Sequence, residues 1–344
     1  MNILRTGIIG TGDYGDQILS ELVRNEVFEI KAIADQDRER VRERAGRYEA
    51  QAYDDYRSLI VQEALDVLFL ALPTYLSGEC IQLAAKKGLH LFKQAPLGRT
   101  LPEATEWVDL MKKAHVTFHV GSPRRFAPGY LQARRRLQEK QIGAVYLTRA
   151  ESFVRDPGPL GWRGDPTLAG GGVLLEQAYH LIDELVWNLG PPETVYSVNT
   201  DWCSRRALPP YRTEDTCALI MKYSDGAVGN VVAGWMTEPA GERLIFHGTE
   251  GSIEAHVNLL RVFNVAGKIV TEEKYEVDAS WLIGQQIRHF ADSLLDDQIK
   301  PVGTAQEHLT NVAVVESAYL SSRTRLPETL KVYGPAIKFS NLPI

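Results

Sequence analysis

The segment Gly161 to Asp183 reads GWRGDPTLAGGGVLLEQAYHLID, and three of its side chains could handle protons. Glu176, His180 and Asp183 stand four and three residues apart, so on an α-helix they share roughly one face. A histidine beside a carboxylate can take a proton from a hydroxyl while a hydride leaves the carbon that carries it. The same spacing also occurs in structural pairs. Here the glycine triplet Gly170 to Gly172 opens the helix and a dinucleotide signal stands elsewhere in the chain, which favours catalysis. As a metal site the pair is incomplete, because Glu-x-x-x-His offers two ligands without a third nearby, and no metal is expected.

A departing hydride needs an acceptor, and GTGDYG at the end of the first apolar run points to one. Gly10, Gly12 and Gly15 have the G-x-G-x-x-G spacing of a dinucleotide turn. The first glycine allows a tight turn, the second lets backbone approach a pyrophosphate, and the third lets helix and strand pack closely. Asp35 closes the second apolar run, where a carboxylate can bond ribose hydroxyls. That carboxylate would repel a 2′-phosphate, so NAD is expected in preference to NADP. Arg38 and Arg40 are the neighbours that complicate this preference.

The elements that must hold these residues follow from the apolar pattern. Up to Gly121, apolar runs (Ile3 to Ile9, Phe28 to Ala34, Leu65 to Leu72, Leu89 to Lys93, Val116 to Val120) alternate with amphipathic helical stretches. Leu65 to Leu72, LDVLFLAL, lacks polar alternation beyond Asp66, as a strand covered on both faces would. The expected fold is an α/β Rossmann domain, a doubly wound parallel sheet, over residues 1–122. Residues 123–344 read differently. A basic helix from Tyr130 to Lys140 leads to strands separated by turns such as Ser224-Asp225-Gly226 and Thr249-Glu250-Gly251. This predicts an α+β domain with a largely antiparallel open sheet, and helices over Ala169 to Leu189, Gln285 to Leu295 and Ala305 to Ser322. The cleft between two such domains is the default site for a small ligand.

With 344 residues and 44% apolar content, the chain can bury two cores. Its net charge of -6 offers no general attraction to nucleic acid or to an anionic membrane. The run Arg134-Arg135-Arg136 reads as a solvated helix face, since no aromatic platform accompanies it. Cys80, Cys203 and Cys217 form neither a disulfide framework nor a zinc pattern. No exported leader or apolar span is apparent either, and a cytoplasmic protein with a small-molecule partner is expected.

Taken together, GIIGTGDYG, AIADQD, LDVLFLALP, GLHLFKQAP, RRFAP at Arg124 to Pro128 and WRGDPTLAGGGVLLEQAYHLID resemble the Gfo/Idh/MocA family over nearly the whole chain. The resemblance implies oxidation or reduction of a sugar, cyclitol or related polyol at one carbon with NAD or NADP. It implies a homo-oligomer, dimer or tetramer, built on the exposed face of the second sheet. By position it makes Gly10, Gly12, Gly15, Asp35 and Pro73 cofactor residues, sets Trp162 and Arg163 near the nicotinamide, and makes His180 the active-site histidine. Glu176 falls where the family usually has aspartate.

One stretch departs. The family usually ends the GLHLFKQAP strand with Glu-Lys-Pro, and here Gln94-Ala95-Pro96 stand instead. The expected lysine is missing. Lys93, two residues earlier, could project on the same side as a catalytic substitute or could be tied into a structural ion pair. Gln94 could hold the carboxamide or ribose of the cofactor by neutral hydrogen bonds. Arg124, Arg125 and Tyr179 are candidate substrate contacts, with interdomain ion pairing and core packing as the competing readings. The loss of the lysine motivates a second reading, a non-redox NAD-binding protein, and the resemblance implies a third, a glycoside-cleaving enzyme that oxidises its sugar transiently.

Overall fold

The computed structural model describes residues 3–206 and 210–330, which fall into two compact units. The first holds the chain up to Gly98, Pro102–Pro123 and Asp278–His308. Its strands β1 (Leu4–Ile9), β2 (Phe28–Ala34), β3 (Gln51–Tyr53), β4 (Val67–Leu70), β5 (His90–Lys93) and β6 (Phe118–Val120) are all parallel, in the order β3-β2-β1-β4-β5-β6. Every residue of β4 is buried, as the unbroken apolar run requires. Helices α1 (Asp13–Val23), α2 (Arg38–Arg47), α3 (Tyr56–Gln62), α4 (Ser77–Lys87) and α5 (Leu101–Lys113) alternate with the strands. The winding reverses between β1 and β4. In a doubly wound sheet, that switch point opens a crevice at the carboxyl ends of the strands.

A helix over Ala279–Leu295 belongs to this first unit. Its Ile283, Ile287 and Phe290 join Ile8, Phe69 and Phe92 in one apolar core. Phe69 stacks on Phe92 at 5.1 Å and meets Phe290 edge-on at 6.0 Å. The helix starts earlier than its apolar pattern suggests, at Ala279, because Asp278 caps it by accepting from Trp281 N–H at 2.7 Å. The chain beyond residue 122 thus contributes to both units.

The second unit holds Arg99–Leu101, Arg124–Val277 and the described residues from Leu309. Nine strands, β7 (Val145–Val154), β8 (Thr194–Thr200), β9 (Thr216–Lys222), β10 (Val228–Trp235), β11 (Gly241–Gly248), β12 (Gly251–Ala255), β13 (Leu259–Asn264), β14 (Ile269–Lys274) and β15 (Glu328–Thr329), form one sheet. The order is β14-β13-β12-β11-β7-β10-β9-β8-β15, antiparallel throughout except where β7 and β10 run side by side. Alternation is clean along β9, with Cys217, Leu219 and Met221 inward and Ala218, Ile220 and Lys222 outward. Helices α6 (Pro128–Gln138) and α8 (Tyr179–Leu189) pack on the sheet.

The single helix expected over Ala169 to Leu189 is instead three pieces. Helix α7 (Pro166–Ala169) stops at Gly170, whose φ of +82° only glycine adopts easily. Leu174–Ala178 then form a π-helical turn that runs directly into α8. Such turns are rare and concentrate at functional sites. Among the described residues no helix is long and apolar enough to cross a membrane.

Candidate functional site

The glycine turn lies at the carboxyl end of β1. Gly10 has a φ of +96°, and a side chain there would collide with the Ala71 carbonyl. A methyl group on Gly15 would strike the Gly10 carbonyl, so α1 can cross the turn only over a glycine. Gly12 differs. A methyl group there would meet no atom within 4 Å, which leaves the start of α1 open to a ligand.

Asp35 is held beside this turn by a residue the motif reading passed over. Thr11 donates its backbone N–H at 2.6 Å and its hydroxyl at 2.7 Å to Asp35 Oδ2, while Asp37 N–H reaches Oδ1 at 2.9 Å. Burial alone would raise the Asp35 pKa. The bonds from Asp37 and Thr11, with the charge of Arg40, outweigh it and hold the group below its ordinary value. A cavity of about 270 Å³ opens here, lined by Gly10, Gly12, Asp35, Tyr56, Pro73 and Leu76 among others. The two arginines beside it are engaged, Arg38 with Asp54 at 2.8 Å and Arg40 with Asp37 at 3.4 Å. An open helix start, a fixed carboxylate and an apolar cleft suit a dinucleotide.

Lys93 does not reach along the strand. It is fully buried, and its ammonium donates to Pro96 O at 2.7 Å, Gln94 O at 3.0 Å and Thr74 Oγ1 at 3.3 Å. The Trp107 ring lies 5.9 Å from the same nitrogen. Burial pulls the Lys93 pKa down to about 7, with Glu103 opposing the shift. All three ammonium protons are engaged in joining the loop after β4 to the turn after β5. That geometry makes Lys93 a tie within the fold, in place of the catalytic substitute its strand position suggested. Gln94 is bound by its backbone, N–H to Leu70 O at 3.2 Å and carbonyl to Lys93.

In the second unit, the glycine triplet lets two partly buried groups approach the chain. A side chain on Gly171 would collide with the Tyr319 hydroxyl, and one on Gly172 with the Glu214 carbonyl. Glu176 follows in the π-helical turn, with a side chain only 20% exposed. Its pKa is raised to about 7 by burial, against the pull of Arg163 and with the support of Glu214. The Arg163 guanidinium is 3.8 Å away. Arg163 and Trp162 sit in a short 3₁₀ turn, Gly161–Gly164, anchored where Thr213 Oγ1 donates to Arg163 O at 2.9 Å.

His180 lies in the first turn of α8, partly exposed and edge-on to Tyr179. Close by is Glu242, another residue that no sequence pattern marked. Burial would raise the Glu242 pKa, but Arg124, Tyr130 and His180 together hold it below its ordinary value. Arg124 donates to Glu242 at 3.2 and 3.0 Å, and Tyr130 at 2.9 Å.

The third member of the expected face, Asp183, is buried and committed elsewhere. Arg125 grips it with two bonds, 3.0 and 2.6 Å, and Asn311 adds a third at 2.6 Å. Arg125 is itself fully buried, so the substrate contact expected of it gives way to an internal ion pair. Arg124 is likewise occupied by Glu242. Tyr179 is fully buried, which removes it as a stacking surface for a sugar. Among the described residues, no group of three His, Cys, Asp or Glu side chains could hold a metal ion.

Comparison with known proteins fits both halves. The description "Oxidoreductase family, NAD-binding Rossmann fold" matches residues 4–122, and "GFO/IDH/MocA C-terminal domain" matches residues 130–254. The chain belongs to the Gfo/Idh/MocA family. Within the family, it is 29% identical to levoglucosan dehydrogenase of Pseudarthrobacter phenanthrenivorans, over 65% of this chain and 64% of that protein, just under two thirds of its length. It is 26% identical to the scyllo-inositol 2-dehydrogenase (NAD(+)) of Bacillus subtilis, covering 81% of this chain and 82% of the other. A D-xylose 1-dehydrogenase (NADP(+)) of Haloferax volcanii is 28% identical over 79% and 80%. The solved structure of a levoglucosan dehydrogenase with NADH and levoglucosan shares the Gfo/Idh/MocA fold, with a TM-score of 0.86 and 21% identity over 95% of this chain and 99% of that one.

Proposed function

We propose that this protein is an NAD-dependent oxidoreductase that moves a hydride between nicotinamide and one hydroxyl-bearing carbon of a sugar, cyclitol or related polyol. The observation that carries the reading is the Glu176 carboxyl, poised near neutrality by burial one turn before the partly exposed His180. Bound NAD supplies the hydride acceptor. Gly12 leaves room for the pyrophosphate, Asp35 bonds the ribose hydroxyls, and Pro73 walls the cleft. Gln94 adds a further cofactor contact in this reading. The pairing of Arg38 and Arg40 with acids supports NAD over NADP.

In the oxidation direction, an imidazole nitrogen of His180 accepts the hydroxyl proton as the C–O bond becomes a carbonyl. Glu176, ionised above about pH 7, stabilises the imidazolium and passes the proton on. Lys93 takes no part in proton transfer and keeps the turn that ends in Pro96. We further place the protein in a reducing cytoplasm, in keeping with three free cysteines, as a dimer or tetramer associating through the outer face of the nine-stranded sheet.

The test is NAD+ reduction by the purified chain across a panel of levoglucosan, scyllo-inositol, myo-inositol and D-xylose. NADH formation with at least one is expected, with NADP+ at least about tenfold poorer in kcat/KM. Sugar release from glycosides without net NADH would replace this reading with transient oxidation. NADH binding with neither turnover would replace it with a non-redox protein.

A further inference from the structure

Three successive backbone N–H groups at the start of the Glu176 turn find partners on one distant residue. Gly172 N–H donates to Glu214 Oε2 at 2.9 Å, Leu174 N–H to Glu214 Oε1 at 3.1 Å, and Val173 N–H to the Glu214 carbonyl at 2.9 Å. These are the donors a helix start leaves without intrahelical acceptors. Tyr319 O–H also donates to Oε1, at 2.8 Å. Burial and the Glu214 charge push the Tyr319 phenol well above its usual range, so it stays a donor. Gly171 and Gly172 are the residues whose missing side chains admit this pair.

We propose that Glu214, backed by Tyr319, is a positioning residue that fixes the start of the π-helical turn and thereby sets where Glu176 and His180 stand. It touches neither substrate nor cofactor in this account. A shape-filling residue could pack against the triplet, but only a carboxylate accepts two amides and a phenol at once, with charge-assisted bonds stronger than neutral ones. Position matters at this site because a small displacement of a proton-transfer group costs rate steeply. The glycine triplet, unable to hold its own conformation, needs an outside anchor. The groups around Glu214 are Tyr319, Glu176 and Cys217, with Arg163 beyond Glu176.

The functional consequence rests on the oxidoreductase reading, whereas the anchoring can be measured without it. Hydrogen exchange across residues 172–178 should run about tenfold faster in Glu214→Gln, whose shape is kept and charge lost, and less so in Tyr319→Phe. Steady-state assays with NAD+ and scyllo-inositol or levoglucosan should show kcat down about 10- to 100-fold in Glu214→Gln, with KM for NAD+ within about twofold. Glu214→Asp, which keeps the charge, should recover part of kcat. Unchanged exchange in both Glu214→Gln and Tyr319→Phe would overturn the proposal. So would faster exchange with undiminished kcat, since the contact would then be structural alone. If the wild type turned over no polyol, the functional reading would fail, and the exchange result would still decide the anchoring.

Discussion

Gly10 and Gly12 lie in one turn, yet a methyl group would harm the protein differently at each. At Gly10 the backbone is left-handed and the Ala71 carbonyl is in the way. Gly10→Ala should therefore lose about 1–3 kcal/mol of stability. At Gly12 the backbone, φ -70°, suits any residue and the space is open. Gly12→Ala should keep its Tm, or gain slightly from a stiffer unfolded chain, while NADH binding weakens at least about tenfold. Thermal melts paired with NADH fluorescence titration separate the two effects. Equal losses of stability at both positions would contradict the open space at Gly12, and undiminished binding by Gly12→Ala would show that the cofactor does not approach the turn. This part of the site was legible because the glycines and Asp35 act through local turn geometry. Thr11, which fixes Asp35, carries no motif signal. Arg125 was ambiguous for a related reason: whether its guanidinium faces a ligand or Asp183 depends on a contact 58 residues away.

Strand β5 and the turn after it show what pattern reading can reach at the level of elements. The apolar run and the proline located the strand end correctly. The direction taken by Lys93 was not encoded there, because alternation along a strand gives a face and says nothing of a long side chain folding back to carbonyls ahead of it. The buried ammonium has a measurable signature. Its pKa falls from 10.5 unfolded to about 7 folded, so between these values the unfolded chain holds the extra proton. Stability must then rise with pH across that window, by up to about 1.4 kcal/mol per unit from this group, and level off below about pH 7. Urea unfolding from pH 6 to 10 should show this rise in the wild type relative to Lys93→Met. Parallel curves for the two proteins would mean that Lys93 is not buried as described. The broken helix before His180 was beyond the sequence for a different reason. Glu214 and Tyr319, which hold it, lie 42 and 105 residues from their partners.

On the scale of the molecule, the two architectures were readable from local patterns, apolar runs trading places with amphipathic helices for the parallel sheet and turn signals between successive strands for the antiparallel one. Less visible was the return of Ala279–Leu295 to the first unit, since an amphipathic helix does not name the sheet it will cover. The outer face of the second sheet leaves Val198 at 56%, Ile220 at 51% and Val228 at 38% exposure, all on the side opposite Leu219, Met221 and Val231. An apolar face of this kind suits self-association. Sedimentation should find a dimer or tetramer at micromolar concentration, and Ile220→Asp should shift it toward monomer. A wild-type monomer would contradict the assignment.

The central claim is that His180, supported by Glu176, moves the proton when a polyol is oxidised. The most direct measurement is the pH dependence of NAD+ reduction by the wild type, His180→Ala and Glu176→Gln with a substrate from the panel. The carboxyl is neutral below about pH 7 and ionised above it, so wild-type kcat/KM should rise through that pH to a plateau. Glu176→Gln should lose this inflection. His180→Ala should fall about 10²- to 10⁴-fold in kcat at the plateau. Full turnover by His180→Ala would contradict the account.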